Sequence, residues 1–225
     1  RVIDPELAWL GVTLPQFVAR GHVIASLPSL SLLTIAALTP ADVELEYIEV
    51  PHIEDLNAAR LPAFEAVAIS SYSAQIGEAY ELADRLRGRG MKVIMGGPHV
   101  TALPDEALQH ADAAVLGEAE PVWPAVVEDL RRGTLRRVYR AEGLYDLSRA
   151  PVPRFDLLDP ENYNRIPIQT SRGCPHACEF CAGSRNFGPG YRQKPVEQVL
   201  GEVRAVCDIL ERAFVECEDD NMFVA

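Results

Sequence analysis

Long apolar runs are missing from this sequence. None reaches the roughly 18 residues that a membrane-spanning helix needs. The longest candidate, residues 23–38, is interrupted by Pro28 and three serines, and we interpret it as a loop followed by a buried helix. A secretory signal with a basic start, an apolar core and a small-residue cleavage site is not found either. We therefore expect a cytoplasmic protein without a membrane span.

Basic residues are scarce. The 225 residues include 21 Lys and Arg against 33 Asp and Glu, which gives a net charge of −12. A protein that binds nucleic acid non-specifically needs Lys and Arg to displace counterions from phosphates. The basic patch "RRGTLRR" at residues 131–137 is typical of a solvated helix end followed by a strand. The composition therefore argues against nucleic acid as a partner, and a small-molecule substrate is the expectation.

Cysteines are few, and most of them are clustered. There are five, and Cys174, Cys178 and Cys181 lie within eight residues in a C-x3-C-x2-C pattern. A disulfide framework is not expected in a cytoplasmic protein. Thiolates select zinc, copper(I) or iron–sulfur clusters, so the spacing predicts a metal site.

The odd number of thiols raises the question of a fourth ligand. Structural zinc takes four ligands, and His176 is too close to Cys174 and Cys178 in the chain to share their metal comfortably. Cys207 and Cys217 could each supply the fourth, although both have the character of small buried residues. A [4Fe–4S] cluster held by three cysteines would instead leave one iron open, which is the mark of a catalytic metal. Both alternatives follow from the residues.

Strand and helix signals alternate through the middle of the chain. The patterns predict strands at residues 43–50, 64–70, 92–97 and 112–117, and helices at 75–90, 104–111 and 120–133. Such alternation predicts an α/β fold with a doubly wound parallel sheet. Ligands of such sheets bind beyond the carboxyl ends of the strands.

Three loops leave those strand ends. They are Ser70-Ser71-Tyr72-Ser73, Gly96-Gly97-Pro98-His99 and Gly117-Glu118-Ala119-Glu120. Their small residues would let a large flat or phosphate-bearing ligand approach the backbone. The same residues are typical of tight turns that bind nothing, so the loops alone leave both interpretations open.

A proline-rich stretch separates two predicted units. Residues 141–167 carry four prolines and little periodicity, which predicts an extended linker. We place the first domain at 1–140, the linker at 141–164 and the second unit at 165–225. The second unit begins with a strand and the cysteine loop. A helix at 194–210 and a strand at 213–221 complete one β-α-β unit.

The cysteine segment "CPHACEFC" resembles the signature of the radical S-adenosylmethionine (radical SAM) enzymes, and its strand–loop–helix–strand context matches theirs. The resemblance implies that Cys174, Cys178 and Cys181 hold a [4Fe–4S] cluster whose open iron binds S-adenosylmethionine. In that family the reduced cluster cleaves S-adenosylmethionine to methionine and a 5′-deoxyadenosyl radical. Phe180 would lie near the adenine.

The segment "EDDNMF", residues 218–223, resembles the cobalamin-linked subgroup of that family. The resemblance implies that Asp219, Asp220 and Asn221 are polar contacts of S-adenosylmethionine. The second unit would then be the start of a partial (βα)6 radical SAM barrel.

The first domain resembles the B12-binding domain that precedes the barrel in one large subgroup. The resemblance rests on "LPSLSLLTIAALTP", "VAISSYS", "GGPHVTALPDEAL" and "LGEAEPVW", in that order. The implied ligand is cobalamin, and the implied contacts are Ser70, Ser71, Gly96, Gly97, Pro98, His99, Gly117 and Glu118.

Two departures from the family pattern modify these expectations. The D-x-H-x-x-G motif that supplies a lower histidine ligand is absent, and His52 does not fit it. We therefore expect the cobalt to lack a protein histidine below, with His99 in contact with the corrin. The resemblance also implies a first strand before Arg1 and further barrel units after Ala225, so we expect the chain to be part of a longer enzyme.

The resemblance implies a radical SAM enzyme that uses cobalamin as second cofactor, transfers a methyl group to an unactivated centre, and takes electrons from a donor such as flavodoxin or ferredoxin. One alternative is a radical SAM tetrapyrrole ring cyclase or oxidase of the same family. Another is a corrinoid- or iron–sulfur-binding module without turnover, and a structural zinc protein is a third.

Overall fold

The computed structural model describes residues 27–50, 53, 64–163, 165–176, 178–183, 190–210 and 214–224. Its helices are α1 (Leu30–Leu38), α2 (Ile76–Arg87), α3 (Pro98–Ala102), α4 (Pro104–His110), α5 (Trp123–Arg131) and α6 (Val196–Ile209). Its strands are β1 (Ala66–Ser70), β2 (Lys92–Gly96), β3 (Ala113–Leu116), β4 (Val138–Arg140), β5 (Arg165–Ile168), β6 (Ser171–Arg172), β7 (Arg192–Gln193) and β8 (Phe214–Cys217).

The first unit is a parallel sheet in the order β1-β2-β3-β4. Its central strands β2 and β3 are largely apolar and buried because both faces are covered, whereas β4 at the edge buries only Tyr139. Val93 and Met95 belong to the core on the face that packs α2 and α4. Ile94 and Val115 belong to the core on the opposite face, with residues of α1 and α5. The predicted α/β fold with a doubly wound parallel sheet is confirmed.

Helix α1 is apolar on all sides, as its sequence "LSLLTIAAL" shows. A helix of this kind is buried between layers. Leu30 and Leu33 pack in the core of the second unit, whereas Ile35 and Leu38 pack against the sheet core. Helix α1 is therefore shared by the two units, and it begins at the Ser29 cap, whose hydroxyl accepts the Leu32 N–H.

The second unit is the predicted β-α-β arrangement. Strands β5 and β8 pair in parallel, and α6 lies between them in the chain. Helix α6 buries Glu202, which forms an ion pair of 2.5 Å with Lys194. The described residues show this one unit and no complete barrel.

The stretch predicted as an extended linker is packed. It contains short 3-10 turns at Leu147–Arg149, Phe155–Leu157 and Pro160–Asn162. The Arg154 N–H donates to the Leu33 carbonyl, and Phe155 is buried in the core of the second unit. The prolines hold turns that direct apolar side chains inward, which proline content alone does not reveal.

The strand predicted at residues 43–50 is not formed. From Val43 to Tyr47 its side chains still alternate between half-buried and exposed, as the apolar–acidic pattern requires, but Ile48 is exposed and Glu49 is half-buried. A strand also needs a neighbouring backbone, and within the described part of the chain this segment pairs with none. His52 lies outside the described residues.

No helix in the described ranges is long and apolar enough to cross a membrane.

The packed linker makes a testable prediction. Phe155 is 1% exposed, so we expect Phe155→Ala to lower the free energy of unfolding by about 3–5 kcal/mol through loss of burial and a residual cavity. Val152→Ala is the matched control, because Val152 is 41% exposed in the same segment and should change stability by less than about 0.5 kcal/mol. Urea unfolding measures both. Equal small effects would contradict a packed linker.

Candidate functional site

The first two strand-end loops lie against each other. The register of β1 and β2 places Ser70 beside Gly96. Gly97 has a φ of 102°, and a Cβ there would lie 3.2 Å from both the Ser70 hydroxyl and the Ser71 carbonyl oxygen. Only glycine fits this position without displacing the neighbouring loop. The structure therefore brings Ser70, Ser71, Gly96 and Gly97 together, as the sequence predicts.

Thr101 joins the third loop to the second. Its hydroxyl donates to the Gly97 carbonyl at 2.9 Å and accepts the Gly117 N–H at 2.9 Å. Sequence reasoning missed this residue. The available signal was a hydroxyl side chain four residues after a strand-end glycine, which places it on the first turn of α3.

His99 is held from both ring nitrogens. Its Nδ1 lies 2.9 Å from the Ser73 hydroxyl, and its Nε2 lies 3.4 Å from a Glu106 carboxylate oxygen. The side chain is 12% exposed and meets the Tyr80 ring edge-on. Burial and the neighbouring Glu106 raise the pKa of Tyr80 to about 12. Both ring nitrogens of His99 therefore have a polar partner among the described residues.

A cavity of roughly 180 Å³ opens beside the first loop. Its wall is mainly apolar and comes from α1, β1, α2, Ile48, Val50 and Ile53, with Ser70, Ser71, Gln75 and Glu78 as its polar residues. Cofactor sites are commonly apolar clefts with a few placed polar groups. Among the predicted cobalamin contacts, Ser70 and Ser71 line this cavity.

The cysteine loop is closed at its base by a short antiparallel pair. Ser171 is opposite Gln193, and Arg172 is opposite Arg192. Gly173 has a φ of 85°, and a Cβ there would run into the Gly190 carbonyl. Glycine is therefore required where the chain enters the loop.

Residues after β8 hold the start of this loop. Asp219 accepts the Thr170 N–H at 2.8 Å, the Thr170 hydroxyl at 2.5 Å and the Ser171 N–H at 2.9 Å. Asp220 accepts the Gly173 N–H at 2.7 Å, and the Asn221 amide lies 3.5 Å from the Cys174 sulfur. These residues position the loop backbone, and their contact with S-adenosylmethionine stays a prediction.

The three thiols occupy one loop. Cys174 and Cys181 are half-buried, Cys178 is exposed, and the Cys181 N–H donates to the Cys178 carbonyl at 3.1 Å. Among the described residues, no group of three or more His, Cys, Asp or Glu side chains is arranged to hold a metal ion. Phe180 is 92% exposed beside them. The donor set itself, three accessible thiols with an amide near one sulfur, fits an iron–sulfur cluster with an open iron.

Cys207 and Cys217 are exposed, so the expectation that both are buried is wrong. The buried side of α6 carries Glu202 and Val206, and Cys207 is turned about 100° away from Val206. Cys217 ends β8, which pairs with β5 alone among the described strands.

Two buried carboxylates connect the third loop to the cysteine loop. Glu118 and Glu120 are each 7% exposed. Arg172 contacts Glu118 at 2.8 Å and Glu120 at 2.7 Å, and Arg192 contacts Glu118 at 2.9 Å. The Tyr145 N–H also donates to Glu118, at 2.6 Å. We call these four charged residues the acid–arginine cluster.

The environment of Glu118 favours its charged form. Burial by itself would raise the pKa of Glu118, but the Tyr145 N–H and the guanidinium groups of Arg172 and Arg192 outweigh it. The pKa is therefore lowered from its ordinary value. The family resemblance implies a cobalamin contact for Glu118, but no short motif shows that Glu118, Glu120, Arg172 and Arg192 meet in the folded chain.

Part of the chain matches a known protein family. The family model described as the B12 binding domain matches residues 18–127. The chain carries a B12-binding domain. The strand-end residues from Ser70 to Glu118 all lie within the B12-binding domain, and the cysteine loop lies outside it.

Curated relatives extend past the B12-binding domain. An uncharacterised methyltransferase of Synechocystis is 34% identical over 87% of this chain and 36% of its own length. Bacteriochlorophyllide d C-12(1)-methyltransferase of Chlorobaculum tepidum is 32% identical over 86% of this chain and 44% of its own length. Hopanoid C-2 methylase of Rhodopseudomonas palustris is 29% identical over 88% and 38%. The chain thus spans less than half the length of these relatives.

Solved structures share the fold. The radical S-adenosylmethionine methyltransferase TsrM from Kitasatospora setae matches with a TM-score of 0.60 at 18% identity, over 86% of this chain and 45% of that one. The cobalamin-dependent S-adenosylmethionine radical enzyme OxsB matches with a TM-score of 0.58 at 17% identity, over 69% and 25%. The family model confirms the predicted B12-binding domain, and these structures show that the chain shares its fold with cobalamin-dependent radical SAM enzymes.

The backbone at Gly173 passes so close to the Gly190 carbonyl that adding a single methyl group should destabilise the fold strongly. We expect Gly173→Ala to lower the free energy of unfolding by more than the roughly 1–2 kcal/mol of left-handed backbone strain, because its Cβ also meets the Gly190 carbonyl. Gly143→Ala is the control, since Gly143 has a φ of 75° and open space around its Cβ position. Urea unfolding compares the two variants. Equal losses of unfolding free energy would contradict the close contact between Gly173 and Gly190.

The lowered pKa of Glu118 predicts a pH effect. Because the pKa is lowered in the folded chain, the stability from Glu118 is present above its ordinary value of 4.5 and is lost as the pH falls through the lowered pKa. We therefore expect the stability gap between the native chain and Glu118→Gln to narrow below pH 4.5. Urea unfolding from pH 7 to pH 3 measures it, and a constant gap would argue against an ionised Glu118.

Proposed function

We propose that the chain is the cofactor-binding part of a cobalamin-dependent radical SAM enzyme that transfers a methyl group to an unactivated carbon. One observation carries the proposal. The loop with three thiols and no fourth is bound, through the acid–arginine cluster, to a strand-end loop of a B12-binding domain. The loop proposed to hold the iron–sulfur cluster thus lies beside a loop proposed to contact cobalamin.

The residues of the B12-binding domain fit a large flat ligand. Gly97 and Gly117 keep the backbone bare at the ends of β2 and β3, and Thr101 fixes the spacing of their loops. Ser70 and Ser71 place polar groups at the apolar cavity. His99 is directed to Ser73 and Glu106, which supports a corrin without a lower histidine ligand.

The residues of the second unit fit a cluster held by Cys174, Cys178 and Cys181. Asp219 and Asp220 hold the backbone where the loop begins, so that the thiols project from an anchored segment. The Asn221 amide can donate to the Cys174 sulfur, and hydrogen bonds to cluster ligands tune the reduction potential.

When bound, the cluster would cleave S-adenosylmethionine reductively to a 5′-deoxyadenosyl radical, and cobalamin would supply the methyl group. Relatives named for methylation of a bacteriochlorophyllide and a hopanoid support methyl transfer over ring-forming oxidation. The proposal includes a small-molecule methyl acceptor and an electron donor such as flavodoxin or ferredoxin.

The experiment separates the two cofactors. The chain is purified without oxygen, supplied with iron, sulfide and hydroxocobalamin, and freed of unbound material. We expect about four irons per chain and equimolar cobalt, with Cys178→Ala losing the iron and keeping the cobalt.

Cys207→Ala is the control, because Cys207 is an exposed thiol on α6 outside the cysteine loop. It should keep both metals. A tightly bound zinc without a brown chromophore would contradict the proposal and favour a zinc protein. Iron retained in Cys178→Ala would contradict the assignment of Cys178 as a cluster ligand. Cobalt without any iron would favour a corrinoid-binding module without turnover.

A further inference from the structure

The base of the cysteine loop brings two positive charges together. Arg172 on β6 and Arg192 on β7 are register partners in an antiparallel pair. Like charges directly opposite each other destabilise a strand pair. The pair is only two residues long on each strand, so its backbone bonds alone have little to offset the repulsion. Closure of the loop therefore needs negative charge from elsewhere.

That charge comes from the B12-binding domain. The side chains of Glu118 and Glu120 are 5% and 6% exposed, and together they contact both arginines at 2.7–2.9 Å. Buried charges interact strongly, and a buried charge that loses its partner is strongly unfavourable. Two acids and two arginines balance each other within the acid–arginine cluster.

Glu118 is fully used by these contacts. Its Oε1 accepts from Arg172 and Arg192, and its Oε2 accepts from Arg192 and from the Tyr145 N–H. Arg192 also donates to the Tyr145 carbonyl at 2.8 Å, so the residues after β4 are part of the same contact. The carboxylate of Glu118 is therefore directed at the base of the cysteine loop.

We propose that Glu118 and Glu120 are positioning residues that hold the base of the cysteine loop against the third strand-end loop, residues 117–120. A ligand bound at one of these loops would then change the stability of the other. The closure of the loop base is a property of the chain without ligands. The coupling between the two loops rests on the proposed function, which identifies the ligands.

The closure is tested without any cofactor by hydrogen exchange of residues 170–174 and 190–194. Glu118→Gln should speed their exchange on the order of tenfold or more, because Arg192 loses its charged partner. Glu128→Gln is the matched control: Glu128 pairs with Arg132 on the surface of α5, and exchange at the loop base should not change. Unchanged exchange in Glu118→Gln would overturn the closure.

A second substitution distinguishes charge from packing. Glu118→Gln/Arg192→Gln removes the repulsion between the facing arginines and leaves Arg172 with Glu120. Exchange at the loop base should return toward the native rate. A further increase in the double variant would mean that Glu118 acts through packing, and it would overturn the positioning role.

Hydrogen exchange in the presence of hydroxocobalamin distinguishes failure of the coupling from failure of the proposed function. At concentrations that saturate both proteins, it should slow exchange at the cysteine-loop base in the native chain and much less in Glu118→Gln. Binding without slower exchange in the native chain would overturn the coupling while the proposed function stands. No binding by the native chain would overturn the proposed function and the coupling together, and the cofactor-free exchange would still decide the closure.

Discussion

The structure depends on one buried carboxylate that serves two arginines. Glu118 lies in the loop after β3 of the B12-binding domain, and Arg172 and Arg192 flank the cysteine loop. A buried ion pair contributes little to stability when compared with apolar packing, but it strongly disfavours any arrangement in which one partner is missing. The acid–arginine cluster therefore specifies how the two units meet. Helix α1, which packs against both cores, adds the apolar part of the same contact.

The site follows from ordinary features of a parallel sheet. Consecutive strands end at one edge, and glycines at 97 and 117 let the chain turn there with positive φ. Thr101 and Asp219 then fix loops that would otherwise have only their termini held. Rigid elements therefore position both loops, and the residues predicted to contact ligands are mostly small or polar.

Much of the fold could be predicted from periodicity, because β1, β2, β3, α2 and α6 each carry a pattern matched to their burial. Residues 43–50 show the limit: alternation describes which side chains face inward and says nothing about a pairing partner. The site was predicted only as a set of positions. The motifs placed Glu118 and Asp219 just after strands β3 and β8, but the partners of these residues lie about fifty residues away along the chain. Only the folded chain shows that both hold the cysteine loop.

The central proposal is that ligand binding at the third strand-end loop and ligand binding at the cysteine loop are energetically coupled. The most direct measurement is the dissociation constant for hydroxocobalamin in iron-free protein and in protein carrying the iron–sulfur cluster, under the same anaerobic conditions. Because coupling between sites is reciprocal, a shared cluster of charges predicts that the two constants differ. Equal dissociation constants in the two forms would contradict the claim.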